Sequence, residues 1–275
     1  MSILVHKVGI NKTLGQKSDY ANSSWRDSLV GEFLASSGLS GGGGLGEEGS
    51  GDIWANSVGG QNDLRAFNGL VINSIESPYH ASFDGNNDYI WNTSTGYGGN
   101  PFTVDLSADF TIGQWVRCNT GTAFTVCVQT SGSTGALYTT LNSLQWTVYG
   151  NGGSATTSAI AGYSMKANTW HFLSMSHDRS EGYVNIYLDG KFADAFNPTY
   201  TSGNWTGARN LGFGHAIVQN SGNINANSSL EVAKIYVWNR YWAASQHRHV
   251  FFGQAQSNSG IHDVNPHFGP TRTST

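Results

Sequence analysis

Residues 166–196 restrict the fold of this chain more than any other segment, because their side chains follow a period of two residues. Trp170, Phe172, Ser174 and Ser176 alternate with His171, Leu173, Met175 and His177. This period is typical of a β-strand, whereas a helix repeats near 3.6 residues. The polar stretch 178–182 separates this run from a second one, 183–188, which ends at Asp189-Gly190. Since a type I′ turn needs positive φ at both central positions and Asp-Gly suits it, the segment predicts antiparallel strands joined by turns.

These strands resemble the central hairpin of the laminin G-like, or concanavalin A-like lectin/glucanase, sandwich: W-H-x-x-x-x-x-x-D is followed by V-x-I-Y-L-D-G-K. Four other segments are similar to strands of that family in the family's order: SFDGNNDYI at 82–90, DFTIGQWVR at 109–117, NLGFG at 210–214 and AKIYVWNR at 233–240. The resemblance covers about residues 79–252. It implies an all-β fold, a two-sheet antiparallel jelly-roll sandwich, with Trp115 and Trp170 pointing into the core.

The regions outside this segment have a different character, which predicts three parts: an N-terminal arm (1–78), the sandwich (79–252) and a polar C-terminal tail (253–275). Ser24 as N-cap with Asp27 three residues later predicts a short helix that Gly38 ends. Its apolar stripe consists of Trp25, Leu29, Val30, Phe33 and Leu34. The glycine-rich stretch 41–51 is expected to be a flexible tether. We therefore expect the sandwich to fold without residues 1–52, and the arm to bind a partner through Trp25, Leu29, Phe33 and Trp54.

Composition limits the classes of partner. Charged residues make up 12% of the 275 residues, against about 25% in a typical globular protein, so a neutral, polar surface is expected. The net charge is −4 and lysine and arginine do not cluster, which argues against nucleic acid as a ligand. No run approaches the roughly 18 apolar residues that span a membrane, so no membrane partner is expected.

The N-terminus and the cysteines bear on the compartment. Residues 1–7 have no basic n-region and no cleavage site, so no secretory signal is predicted and synthesis in a host cytoplasm is expected. Cys118 and Cys127 flank a predicted hairpin turn at 119–122 and could face each other across it. Free buried thiols are the alternative, because disulfides are rare in a reducing cytoplasm.

The family includes an enzymatic branch and a calcium-binding branch, each with a characteristic set of residues. The glucanase branch of the family uses two glutamates on one strand, because a retaining glycosidase needs two carboxyls about 5 Å apart; no such spacing occurs here, so no catalytic residue and no enzyme activity are predicted. The calcium-binding branch uses oxygen ligands on loops at one rim, which a hard cation requires. Asp84, Asn86 and Asp88 are the weak calcium candidates, and the alternative for Asp84-Gly85 is a simple turn. No other cofactor is predicted.

Histidines and aromatic residues supply the remaining candidates. The histidines lack a third ligand at a supporting spacing, so His247 and His249 are expected to be solvated or at an interface, and His171 and His177 to lie on the strand surface. Exposed aromatic rings of a lectin-like sandwich stack on sugars. Five rings are the candidates for glycan stacking because they fall in predicted loops or at strand ends: Trp91, Tyr97, Tyr200, Trp205 and Trp242. The alternative is that aromatic residues fill the core or an interface.

Three functions remain compatible with the sequence. The first is a non-enzymatic structural protein of a virus particle, a bacteriophage capsid decoration or other virion-surface protein, bound to a major capsid protein and self-associated. The absent signal, the neutral surface and the tether favour it. The second is a carbohydrate-binding lectin module of a tail fibre or adhesin, with a surface glycan as partner. The third, a glycoside hydrolase, is disfavoured by the missing carboxylate pair. We expect the protein in the virion.

Overall fold

The computed structural model describes residues 26–37, 52–58, 63–73, 75–76, 78–91, 102–118, 121–129, 137–150, 153–156, 165–198, 207–214, 216–217, 224–225 and 229–257. The first ten strands are β1 (Leu29–Leu34), β2 (Asp52–Trp54), β3 (Leu64–Phe67), β4 (Val71–Asn73), β5 (His80–Asp84), β6 (Tyr89–Trp91), β7 (Thr103–Asp105), β8 (Phe110–Cys118), β9 (Thr122–Gln129) and β10 (Leu137–Asn142). The others are β11 (Gln145–Gly150), β12 (Gly153–Thr156), β13 (Trp170–Asp178), β14 (Tyr183–Leu188), β15 (Lys191–Phe196), β16 (Ala208–Phe213), β17 (Ala216–Ile217), β18 (Ile224–Asn225) and β19 (Ser229–Trp238). A 3-10 turn, Ala35–Ser37, follows β1, and helix α1 (Ala244–Ser257) follows β19.

Two antiparallel sheets form the predicted sandwich. The eight-stranded sheet has the order β15-β14-β13-β8-β19-β5-β4, and β1 pairs with the second half of β19. The nine-stranded sheet has the order β12-β11-β10-β9-β16-β6-β3-β2, with β7 beside β16. A ribbon of β17 and β18 is separate from both. The all-β prediction is therefore confirmed.

The core lies between the sheets and follows from strand alternation, which sends every second side chain to one face. On β8 the inward residues are Phe110, Ile112, Val116 and Cys118; on β13 they include Leu173 and Met175. β8 and β13 pair over eight positions, from Trp170↔Arg117 to His177↔Phe110. The alternation predicted from 170–177 thus places one set inside the sandwich and the other set on the outer face.

The predicted turns around β13, β14 and β15 are confirmed. The Oδ1 atom of Asp178 accepts the main-chain N–H groups of Ser180 and Glu181, both at 3.0 Å. Asp189 and Gly190 have φ of +50° and +71°, as a type I′ turn requires. The carboxylate of Asp189 also accepts the main-chain N–H of Phe172 at 2.8 Å, so this turn is tied to the neighbouring strand.

The helix predicted in the N-terminal arm is wrong, because residues 29–34 form the strand β1. The spacing of Leu29, Val30 and Phe33 is compatible with one side of a helix and also with a strand. Pairing with a strand far away in the sequence favours the strand. β1 pairs with β19 from Leu29↔Trp238 to Leu34↔Lys234. Gly31 supports this packing, since a Cβ there would lie 2.6 Å from the Phe102 ring.

The division into an arm, a sandwich and a tail is corrected for the same reason. Four strands between residues 29 and 73 pair within the two sheets. The side chains of Phe33 and Trp54 are fully buried in the core, and Leu29 packs on the outer face, so none of the three is an exposed partner-binding residue. Trp25 and the tether 41–51 lie outside the described residues. Helix α1 crosses the boundary expected at 252.

Two further expectations about buried residues are corrected. Trp115 and Trp170 are buried but point away from the space between the sheets, toward α1 and its surroundings.

Cys118 and Cys127 do not flank a hairpin turn, because β8 and β9 belong to different sheets. Cys118 is a free, buried thiol, and burial raises its pKa to about 11.

Candidate functional site

The outer face of the eight-stranded sheet is covered by the chain's own C-terminal segment. Its buried aromatic surface consists of Trp115, Trp170, Phe172, Tyr236 and Trp238. Trp242 packs on Trp238 with ring centroids 4.2 Å apart, and Phe251 of α1 stacks on Trp115 at 5.6 Å. No large ligand can reach these rings while α1 lies on them.

A buried histidine joins α1 to the sheet. Nδ1 of His247 lies 2.8 Å from Oγ of Ser174, Nε2 lies 2.5 Å from Oγ of Ser176, and the ring stacks on Tyr187 at 3.7 Å. Burial lowers the pKa of His247 to about 3, so the ring is neutral near pH 7. The expectation of a solvated histidine is wrong for His247, although His249 on the same helix is exposed.

The histidines of β13 are buried as well, so their predicted place on the strand surface is wrong. Nδ1 of His171 lies 2.8 Å from Oδ2 of Asp189, and its Nε2 accepts the main-chain N–H of Lys166 at 2.9 Å. Nδ1 of His177 lies 2.9 Å from the carbonyl of Ala108, and burial lowers the pKa of this ring. Both rings fix loops against the strand.

A charged cluster occupies the other end of the same outer face. Arg117 lies over the Trp170 ring at 5.2 Å, and its guanidinium pairs with the carboxylates of Glu231 and Glu76. The hydrogen bonds that Arg117 donates to these two carboxylates raise the pKa of Arg117, and the one to Glu76 lowers the pKa of Glu76. The two glutamates are therefore balanced by one shared cation.

The nine-stranded sheet has a different outer face on its β10–β11 hairpin. Three cross-strand pairs point outward there: Tyr138↔Tyr149, Thr140↔Thr147 and Asn142↔Gln145. We call these six residues the neutral face, since all are polar and uncharged. The two tyrosine rings stack with centroids 4.8 Å apart and planes 12° apart. Asn142 and Gln145 are exposed and the other four are half-buried, so a ligand can reach this surface.

Buried polar contacts hold the neutral face from inside. Between its pairs, Leu137, Leu141 and Val148 point into the core. The hydroxyls of Thr125 and Thr139 form a hydrogen bond with each other. The Trp146 indole donates to Thr125 at 3.2 Å, and the Val126 main-chain N–H donates to Thr139 at 2.8 Å. These contacts link β9, β10 and β11, and buried hydrogen-bonded side chains of this kind rigidify a site.

The residues predicted to stack on glycans are not the residues of the neutral face. Trp91 and Trp242 are only 4% and 2% exposed, so their predicted role as exposed platforms is wrong. Tyr97, Tyr200 and Trp205 lie outside the described residues. The alternation L-Y-T-T-L-N at 137–142 and Q-W-T-V-Y at 145–149 is the sequence signal that marks Tyr138 and Tyr149.

The calcium candidates form a loop closed by hydrogen bonds. Oδ1 of Asp84 accepts the N–H of Asn86 at 2.8 Å, and Oδ2 of Asp88 accepts the N–H of Asp84 at 3.0 Å. Burial raises the pKa of Asp88. Among the described residues, no group of three or more His, Cys, Asp or Glu side chains is placed to hold a metal ion. The contacts of Asp84 are those of a simple turn, which was the alternative to a calcium site.

A laminin G-type family profile, described as the concanavalin A-like lectin/glucanases superfamily, matches residues 84–246, which is more than half of the chain. The chain belongs to this superfamily. No curated protein matches the sequence. No helix in the described part of the chain is long and apolar enough to pass through a membrane.

Solved structures of botulinum neurotoxin binding domains share the fold. The serotype D binding domain aligns with a TM-score of 0.58 and 10% identity, over 84% of this chain and 53% of that one. The serotype D ligand-binding domain in complex with N-acetylneuraminic acid aligns with a TM-score of 0.56 and 11% identity, over 84% of this chain and 52% of that one. The serotype DC binding domain in complex with rat synaptotagmin II aligns with a TM-score of 0.55 and 12% identity, over 84% of this chain and 52% of that one. This chain spans about half the length of those structures.

Proposed function

We propose that this chain is a non-enzymatic, lectin-like recognition domain on the surface of a virus particle, where the neutral face binds glycan. The observation that carries the proposal is the neutral face itself, a stacked tyrosine pair in line with two pairs of hydroxyl and amide side chains.

The chemistry of these six residues suits a sugar. Tyrosine presents an apolar ring with a polar tip, which complements the C–H face and the hydroxyls of a pyranose. Threonine, asparagine and glutamine both donate and accept hydrogen bonds, as neutral hydroxyls require. The other sheet has no comparable surface within the described residues, because α1 covers its aromatic rings.

The ligands bound in two of the structural neighbours support a recognition role by analogy of fold alone. One binding domain was solved with N-acetylneuraminic acid and another with rat synaptotagmin II. The sugar acid is charged, whereas the neutral face carries no cation. We therefore expect a neutral glycan here rather than a sialylated one.

The absence of catalysis is part of the proposal and rests on the roles of the carboxylates. Glu76 and Glu231 pair with Arg117, and Asp178 and Asp189 accept main-chain N–H groups of turns. A carboxylate engaged in this way is a poor general acid. Calcium at Asp84, Asn86 and Asp88 stays a prediction, as do binding to a major capsid protein and self-association.

The placement on a virion is supported by composition. A chain with only 12% charged residues presents a nearly neutral surface, which suits a protein displayed in many copies because like-charge repulsion between neighbours is small. Mass spectrometry of purified particles of the encoding virus should find the chain, and an antibody against the sandwich should label intact particles. Detection in the cell lysate but not in purified particles would contradict this placement.

Glycan binding is tested on an array of neutral and sialylated glycans with the purified full chain. Tyr138→Ala and Tyr149→Ala should each weaken binding by roughly 30-fold, the loss that corresponds to about 2 kcal/mol at an aromatic hot spot. Tyr183→Ala is the matched control, because Tyr183 is 45% exposed on β14 of the other sheet, and it should bind as the wild type does.

Two results would overturn the glycan assignment. One is wild-type protein that binds no glycan on the array. The other is an equal loss of binding in Tyr183→Ala and in the Tyr138 and Tyr149 variants, since that would place the site elsewhere. The virion placement would survive either result, because the particle measurement does not depend on a ligand.

A further inference from the structure

We propose that α1 is released from the eight-stranded sheet in acid, when His247 gains a proton, and that its release uncovers the aromatic outer face of that sheet. Four observations carry this inference: the hydrogen-bond chain around His247, the absence of a carboxylate partner in that chain, the unpartnered donors on and around α1 and the composition of the helix.

The hydrogen-bond chain fixes the protonation state of His247. The Thr111 hydroxyl donates to the carbonyl of Arg240 at 2.8 Å, and a carbonyl can only accept. Thr111 therefore accepts the hydrogen of Ser176, whose Oγ lies 3.1 Å away. Ser176 has then used its only hydrogen, so it accepts the N–H at Nε2 of His247, and Ser174 donates to Nδ1.

A second proton on the ring breaks this arrangement. Once Nδ1 carries hydrogen, Ser174 must accept instead of donate, and its own hydrogen is left without the partner it had. The new positive charge lies on a ring that is 1% exposed and stacked on Tyr187. A buried charge without a counter-ion is strongly unfavourable, whereas the released ring is hydrated.

The groups around the ring offer little compensation: a hydrogen bond between the ring and the main chain of Trp242 favours the charged form, but burial outweighs it. β13 presents the hydroxyls of Ser174 and Ser176, β8 presents Thr111, β14 presents Tyr187, and the loop before α1 presents Trp242. Tyr187 is the titratable neighbour, and burial raises its pKa, so it stays neutral in acid. The charged and titratable side chains of α1 at this point, Arg248 and His249, are exposed.

Helix α1 carries features that oppose its docked state. Its first turn has no acidic residue and its last turn no basic one, so the helix dipole is not balanced. Nε1 of Trp115 and of Trp242 and Nε2 of Gln246 are buried donors without a partner, and each opposes the docked state. Among the side chains of α1 that the structure describes, Val250 and Phe251 pack in the aromatic cluster and His247 bonds to β13.

The sign of the pH dependence follows from linkage. Burial holds the pKa of the docked ring at about 3, below the ordinary value of about 6.5 for a released one. The released state therefore binds the proton more readily. The equilibrium constant for release should rise about tenfold for each pH unit between 6.5 and 3.

The experiment compares the full-length wild type with His247→Gln and with His249→Gln, the matched control on the exposed side of the same helix. Binding of the dye ANS reports exposed aromatic surface, and far-UV circular dichroism reports the sheets. Wild type and His249→Gln should gain ANS fluorescence as the pH falls from 7 to 4 while the β signal persists. His247→Gln has no titrating ring and should show no such gain.

A measurement on the wild type alone keeps the test decisive if His247→Gln does not fold. NMR should show the His247 ring changing protonation together with loss of amide protection at Val250 and Phe251, at a pH above that of global unfolding. The proposal is overturned if ANS fluorescence rises only when the β signal is lost, if His247→Gln responds at the same pH as the wild type, or if the ring titrates while the helix stays protected.

Discussion

Two glycines show how much single positions contribute to this fold. Gly69 and Gly190 both have positive φ, at +96° and +71°. Nothing lies within 4 Å of a Cβ built on Gly69, whereas at Gly190 it would lie 2.8 Å from Cα of Arg248 and 3.1 Å from Cβ of Phe251. The Asp189-Gly190 turn is therefore also the surface on which α1 rests.

This difference gives a prediction at the residue scale. Gly69→Ala should lower the free energy of unfolding by about 1 to 2 kcal/mol, the cost of a side chain in left-handed backbone. Gly190→Ala should lose that amount and about 1 to 3 kcal/mol more through overpacking. Urea unfolding of both variants measures the difference. Equal losses would mean that α1 does not press on the turn.

At the scale of elements, the sequence predicted the strands whose pattern is local. β13 and β14 were found because alternation, an Asp-capped turn and Asp-Gly all lie within 30 residues of one another. β1 was missed because its partner β19 lies about 200 residues away, and Leu29 to Leu34 fit a helix stripe too. Long-range pairing overrides such local preference.

The candidate site was missed for a related reason. Tyr138 and Tyr149 become a stacked pair only through the β10–β11 register, which depends on a turn at Ser143 and Leu144 with φ of +48° and +66°. Neither residue is a usual choice for such a turn, so the hairpin was not predicted. Trp91 and Trp242 were chosen because exposure was inferred from loop position, and burial is set by the packing of distant strands.

At the scale of the whole molecule, the two proposed properties belong to opposite faces of the sandwich. The eight-stranded sheet is packed on both sides, by the core and by α1 with its aromatic surroundings. The neutral face lies on the opposite side of the sandwich, on the nine-stranded sheet. His247 packs on the outer face of the eight-stranded sheet, whereas Tyr138 lies on the outer face of the nine-stranded sheet. A mutation at His247 should therefore change the release of α1 without changing glycan binding, and a mutation at Tyr138 should do the reverse.

The last prediction concerns how much of the chain the sandwich needs. Deletion of residues 1–52 removes β1, and with it the pairing to β19, the fully buried Phe33 ring and the Leu34 carbonyl that accepts the Trp54 indole N–H at 3.0 Å. Loss of a buried Phe alone costs about 3 to 5 kcal/mol, a large part of the roughly 5 to 15 kcal/mol that stabilises a domain. The truncated chain should therefore be insoluble or melt far below the full chain, contrary to the expectation from the sequence. Deletion of residues 1–25 leaves every described strand in place and is the control. Thermal melts of both proteins decide the matter, and a chain lacking 1–52 that melts like the control would show that β1 adds nothing to stability.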